Sequence, residues 1–200
     1  CRRPNQLPQL VAPSEADLAS PLELAPHACD VADQLIEFHW DSTNFGLFTI
    51  ANDAEQLIVR QKDLLDNATP SANSTAAFSL IRLAALTGKS HYSDIALNIL
   101  RLFSKIAASA PSAFANLINA VHLQNGGVTE IAITGSRTDL LKEIQTNWLP
   151  TAVVAWGEKY DSPIWSDRPA GFAFVCQNYT CAAPASTIDE LKLALRTAFN

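Results

Sequence analysis

The chain has 200 residues and a mass of 21.6 kDa, the size of one ordinary domain or of a domain with a small appendage. Its 48% apolar and 17% charged residues describe a globular chain with material for a core and exclude a disordered one. A net charge of −6 with no clustered basic face excludes a nucleic-acid surface, and no apolar run approaches the roughly 18 residues of a membrane-spanning helix.

The sequence starts at Cys1 and contains no methionine. A lipid-modified mature terminus would also begin with cysteine, but Arg2 and Arg3 lead into no membrane-facing design. The expectation is therefore a piece of a longer protein, with the cytoplasm as its default setting.

Residues 1–26 hold Pro4, Pro8, Pro13, Pro21 and Pro26 without a sustained period, and read as a proline-rich leader. From Ala28 to Trp40, Val31, Leu35 and Phe38 recur at helical spacing, with Ala32 and Ile36 beside them. Asp41 to Gly46 is a turn, and Leu47 to Ile50 a short strand or extended arm. Residues 54–66 are polar. Pro70 keeps Thr69 out of the helical region, and Ser71 or Asn73 caps the helix that follows.

That helix, Ser74 to Leu86, is apolar nearly all round and so predicts burial on several sides, with Gly88 as its stop. The next, over 91–108, places Ile95, Ile99, Leu102, Phe103 and Ile106 on one stripe. A third runs from Pro111, at its first turn, to His122 with Phe114, Leu117, Ile118 and Val121. Helices joined by short links make hairpins.

After Gly126 and Gly127 the pattern changes. Val128–Thr134 and Thr151–Trp156 read as strands flanking a helix over Arg137–Trp148, and Ala170–Cys176 reads as a third strand. A closing helix over Thr187–Phe199 turns Ile188, Leu191, Leu195 and Phe199 inward. The fold class is mostly α with a C-terminal α/β part: leader 1–26, helical hairpins 27–125 and α/β segment 126–200.

Chemistry-bearing side chains concentrate between Phe38 and Asn73. Asp41, Arg60, Lys62, Asp66, Ser71 and Asn73 form the candidate binding group, with Asp63 beside them. Arg60 and Lys62, two apart, point the same way in an extended segment and together suit a carboxylate or phosphate. The competing reading is a salt-bridge and capping network that pins the turn to the start of the helix. His39 is either an acid–base group in an aromatic cleft or a helix-end histidine bonded to a carbonyl, and His91 and His122 show no partner pattern.

Cys176 and Cys181 form a possible disulfide or thiol pair; neither zinc-ligand nor C-x-x-C spacing is present. Gly88-Lys89-Ser90 lacks the upstream glycine and strand of a phosphate-binding loop. Sequons stand at Asn67, Asn73 and Asn178 and matter only in a secretory setting. The residues assign no catalytic role, no metal site and no cofactor.

The runs Arg60–Asp63, Asp66–Ser74 and Leu83–Gly88, the tail Phe174–Pro184 and Thr187–Leu191, and the turn Phe38–Asp41 with Phe45–Phe48 resemble the thioredoxin-domain-containing family of spermatogenesis-associated protein 20. The likeness covers roughly residues 28–199 and departs from the family pattern at Ala72, where glycine is usual. It implies an N-terminal thioredoxin-like domain, absent here, joined to an (α/α) toroid of the six-hairpin glycosidase kind. This chain then supplies a partial toroid, its last hairpins, and a small α/β appendage.

Sugar epimerases with such toroids bind their substrates in a central funnel. The resemblance accordingly directs the 41–73 group toward a sugar or related polar metabolite, with isomerase-, epimerase- or hydrolase-like chemistry in the parent protein. No histidine falls within 60–74, which weighs against an isomerase. The alternative is a non-catalytic scaffold partnering the thioredoxin-like domain. A partial toroid further predicts exposed apolar surface, dimerisation or poor folding.

Overall fold

The computed structural model describes residues 24–55, 58–157, 159–177 and 180–199. Most of the proline-rich leader and the sequon residue Asn178 lie outside them. Residues 24–26, read above as leader, are helical: α1 spans Leu24–His39. Pro26 is tolerated because it sits in the first turn, where its missing N–H forfeits no helical bond.

The centre of the helical part is α2 (Ala72–Thr87), which packs against α3 (Ser90–Ser109) and α4 (Ala115–Gly126). Ser71 caps α2 by accepting from the Ser74 N–H, and Gly88, at φ 71°, ends it with its own N–H on the Ala84 carbonyl. A Cβ at Gly88 would lie 2.6 Å from Pro163 Cδ, so the bare glycine also lets the Pro163–Trp165 turn pack on the helix end. Pro111 opens a separate 3₁₀ turn, Pro111–Phe114, so the third expected helix is divided.

The shared core includes Leu80, Tyr92, Ile99, Phe103, Phe114 and Leu117. The stripes read from sequence are wider than the buried faces: Leu102, Ile106 and Ile118 are exposed. Between α1 and α2, the arm expected over Leu47–Ile50 forms only a single antiparallel bridge, Trp40 to Leu47.

The C-terminal part is a four-stranded sheet in the order β2-β1-β3-β4. β1 (Thr129–Ile133) and β2 (Ala152–Trp156) are parallel, with Ile131 opposite Val154, and are linked by α5 (Thr138–Gln145). β3 (Ala173–Gln177) runs antiparallel to β1, and the two-residue edge strand β4 (Thr180–Cys181) antiparallel to β3.

Alternation along the strands sends Ile131, Ile133 and Val175 to one face, where they meet Leu140 of α5 and Leu191 and Leu195 of α6 (Ile188–Phe199). Ala132, Phe174 and Cys176 turn to the other face, against Ile164 and, from α2, Leu86. Ser162 ties the two parts together by donating to the Leu86 carbonyl at 2.6 Å. Ile188, expected inward, is exposed at the start of α6. Because α5 stops at Gln145 rather than Trp148, Trp148 lies outside the helix and is 88% exposed. No helix among the described residues is long and apolar enough to cross a membrane.

Candidate functional site

The six candidate residues gather along the irregular segment that joins α1 to α2 and, for Asn73, in the first turn of α2. Asp41 opens the turn after α1. Its carboxylate accepts from the Thr43 and Asn44 amides at 2.9 and 3.0 Å, and from Lys62 Nζ at 2.8 Å. The Lys62 hydrogen bond, reinforced by the Asn44 and Thr43 amides, holds Asp41 well below the usual carboxylate range. Lys62 Nζ also donates to the Phe45 carbonyl.

Arg60 and Lys62 do share a side: both stand over the Phe48 ring, at 4.0 and 4.8 Å from its centroid. Arg60 donates to the carbonyls of Ile50 at 2.6 Å and Phe38 at 3.4 Å, which leaves its Nε as a buried donor without a partner. Neither cation presents an open fork to a ligand. His39 follows the simpler of its two readings, with Nδ1 2.9 Å from the Phe48 carbonyl oxygen.

Asp66 sits where two helices begin. One carboxylate oxygen accepts from the Ser71 amide at 2.8 Å and from the Ser74 hydroxyl, at the start of α2. The other accepts from the Asn116 and Leu117 amides at 2.8 and 3.1 Å, at the start of α4. Burial pushes the Asp66 carboxyl upward, but the Ser74 hydroxyl and these amides outweigh it and lower it. A carboxylate at two positive helix ends satisfies donors that neither helix can satisfy itself.

Asn73 is 1% exposed and acts as a replacement strand. Its Oδ1 accepts from the Leu47 N–H at 2.7 Å, while Nδ2 donates to the Leu47 and Asp63 carbonyls at 3.0 and 2.9 Å. A glycan on Nδ2 would displace its bonds to the Leu47 and Asp63 carbonyls. Gly46, at φ 76°, brings the arm within reach: a Cβ there would sit 3.2 Å from Asn73 Oδ1. Asp63 is exposed and contributes its carbonyl.

Asn116 also belongs to this network, although nothing in the sequence marks it. Its Nδ2 donates to Ser74 Oγ at 3.2 Å, yet 50 residues separate it from Asp66, and no local spacing signals the meeting. Cys176 and Cys181 are joined as a disulfide. His91, for which the sequence shows no partner pattern, lies 3.5 Å from Asp33. No group of three His, Cys, Asp or Glu side chains among the described residues could hold a metal ion.

Two concave features lie nearby. An apolar groove of about 730 Å³ opens between α1 and α2, walled by Val31, Leu35, Ala76, Phe78, Leu83 and Leu86. A smaller cleft of about 280 Å³ lies beside α4, where Asn116, Asn119 and His122 face Trp148.

Fold and site together define a class: a helical-hairpin unit with a strapped polar arm, carrying a small mixed sheet on one end. Proteins similar to it have names. The chain is 29% identical over 193 residues to spermatogenesis-associated protein 20 of Homo sapiens, covering 87% of this chain and 24% of the human protein. It is likewise 29% identical over 195 residues to the Rattus norvegicus protein of that name. An uncharacterized Caenorhabditis elegans protein is 25% identical over 162 residues, covering 74% of this chain and 22% of its own length. The resemblance read from the motifs is thus borne out in relatives carrying that name. The chain spans about a quarter of the length of these curated relatives. No family model matches it.

Proposed function

We propose that this chain is a non-catalytic scaffold segment of a longer polypeptide, and that its α1–α2 groove seats an amphipathic helix from the rest of that polypeptide. The observation that carries this reading is the engagement of all six candidate side chains in bonds within the chain, beside a groove that is apolar and open. Side chains bonded in this way hold loops in place. An apolar groove left open on a helical unit is where another helix packs.

The length of the relatives supplies the occupant, since about three quarters of each lies outside the match. In this reading the groove is the uncovered flank of a partial (α/α) toroid. A thioredoxin-like domain of the parent, as the family resemblance implies, is the partner the scaffold carries.

Val31, 55% exposed on the groove wall, gives the test. Val31→Asp is expected to leave the melting temperature of the 200-residue chain within about a degree, and to lower that of the full parent protein by several degrees. Equal effects in both would sink the reading.

A second reading, binding of a sugar or similar polar metabolite, is favoured by one observation: Trp148 is 88% exposed beside Asn116, Asn119 and His122. An exposed indole flanked by amides suits the apolar face and hydroxyl rim of a sugar. A thermal-shift screen of the parent against sugars and sugar phosphates tests it. The shift should vanish in Trp148→Ala; no shift with any member of the panel removes the metabolite reading.

A further inference from the structure

The sheet carries a charged group that takes no part in the polar arm or the groove. Cys176 on β3 and Cys181 on β4 are register partners joined by a disulfide, and they differ sharply in access: Cys176 is 3% exposed, whereas Cys181 lies on the exposed edge strand. Arg168 Nη2 donates to Cys176 Sγ at 3.3 Å, and its guanidinium rests 5.0 Å from the centroid of the Phe174 ring.

That cation is not neutralised by a close carboxylate: among the described residues none pairs with it, and its Nη1 is buried without a hydrogen-bond partner. Glu130, opposite Cys176 in the β1–β3 register, acts on it only through longer-range charge. A cation against one sulfur of a disulfide favours that sulfur as a thiolate, and the better leaving thiolate is the one expelled. Burial alone would disfavour a Cys176 thiolate; the guanidinium, with an N–H still unpartnered, opposes that penalty.

We propose that Cys176–Cys181 is a thiol–disulfide exchange site whose reductant is a dithiol, with Cys181 as the sulfur attacked and Cys176 as the leaving group held by Arg168. The attacking thiolate forms a sulfur–sulfur bond to Cys181 as the Cys176–Cys181 bond breaks, and the electron pair of that bond departs on Cys176. The second thiol of the dithiol, as its thiolate, then attacks its own sulfur in the mixed disulfide and expels Cys181. The dithiol ends as a cyclic disulfide, oxidised by two electrons, and the protein ends with two reduced cysteines. A monothiol cannot complete the second step intramolecularly, so the neighbouring Cys176 thiolate displaces it and recloses the pair.

The test uses the whole 200-residue chain with Cys1 and Cys29 replaced by Ser, treated with dithiothreitol under native conditions, counting thiols by maleimide mass shift. The expected result is opening of the disulfide faster than the chain unfolds, slowed about tenfold in Arg168→Gln. About tenfold is the order of slowing expected when the cation that favours Cys176 as the leaving thiolate is removed. Arg168→Lys, which keeps the charge, should recover part of the loss. Equal rates with arginine and with glutamine at position 168, or opening only at the unfolding rate, would overturn the proposal.

Should Arg168→Gln fail to fold, the chain that keeps its arginine still decides between the outcomes. Glutathione trapped by rapid alkylation should be found on Cys181, and an adduct on Cys176 overturns the assignment. At equal thiol concentration, glutathione should leave the pair mostly closed where dithiothreitol opens it; equal opening by both also overturns it.

Discussion

The Asp66 network in the helical part and the Arg168–Cys176 contact in the sheet are both charged groups set into apolar surroundings, and they are finished differently. Asp66 accepts from three backbone amides and one hydroxyl, so its charge is matched by the ends of two helices. Arg168 has a sulfur acceptor, a stacking ring and an N–H without a partner. A charge met on all sides fixes structure, and removing it costs stability. A charge left partly unmet contributes little to stability and can respond when a neighbouring group gains charge.

Asp66→Ala puts this contrast to its most severe test. It strands the amides of Ser71, Asn116 and Leu117, and we expect a loss of about 2–4 kcal/mol in urea unfolding. A loss below about 1 kcal/mol would mean that the network does not pin the helices. Asn73→Ala should follow at roughly 2–3 kcal/mol, because the buried Leu47 N–H and carbonyl lose their partner away from water. A variant that folded as well as the unsubstituted chain would show that the arm's other bonds, among them Phe48 N–H to the His39 carbonyl and Thr49 N–H to the Gln61 carbonyl, hold it without Asn73.

Acid probes the same contrast. Asp41 and Asp66 both have folded-state pKa values below the unfolded value of 3.8. As the pH falls below about 4 the unfolded chain binds these protons first, so the stability they contribute above that pH is lost as the pH drops through the folded values. Unfolding free energy should therefore decline between about pH 5 and pH 2, and decline less steeply in Asp41→Asn. Equal slopes would show that the Lys62 pairing adds nothing to the folded state. The smallest stability effect belongs to Arg168→Gln, expected within about 1 kcal/mol of the unsubstituted chain despite its large effect on exchange. A loss rivalling that of Asp66→Ala would erase the distinction between the two sites.

Local chemistry was legible in the residues. Helical spacing located four of the helices, Ser71 and Gly88 marked the ends of α2, and apolar runs marked β1, β2 and β3 to within a few residues. The two-residue spacing of Arg60 and Lys62 placed both over one side of the arm, where Phe48 receives them. These features depend on φ/ψ preferences and on side chains a few positions apart, which a sequence displays directly.

What those groups are for depends on how the segments pack. That Asp66 meets the start of α4, that Asn73 bonds to Leu47, and that Arg168 reaches Cys176 are outcomes of packing between segments up to 51 residues apart. Only those meetings distinguish a charge that is matched from one that is held in reserve. Such a distinction rests on the distance and burial of both partners, quantities that exist only once the elements have packed.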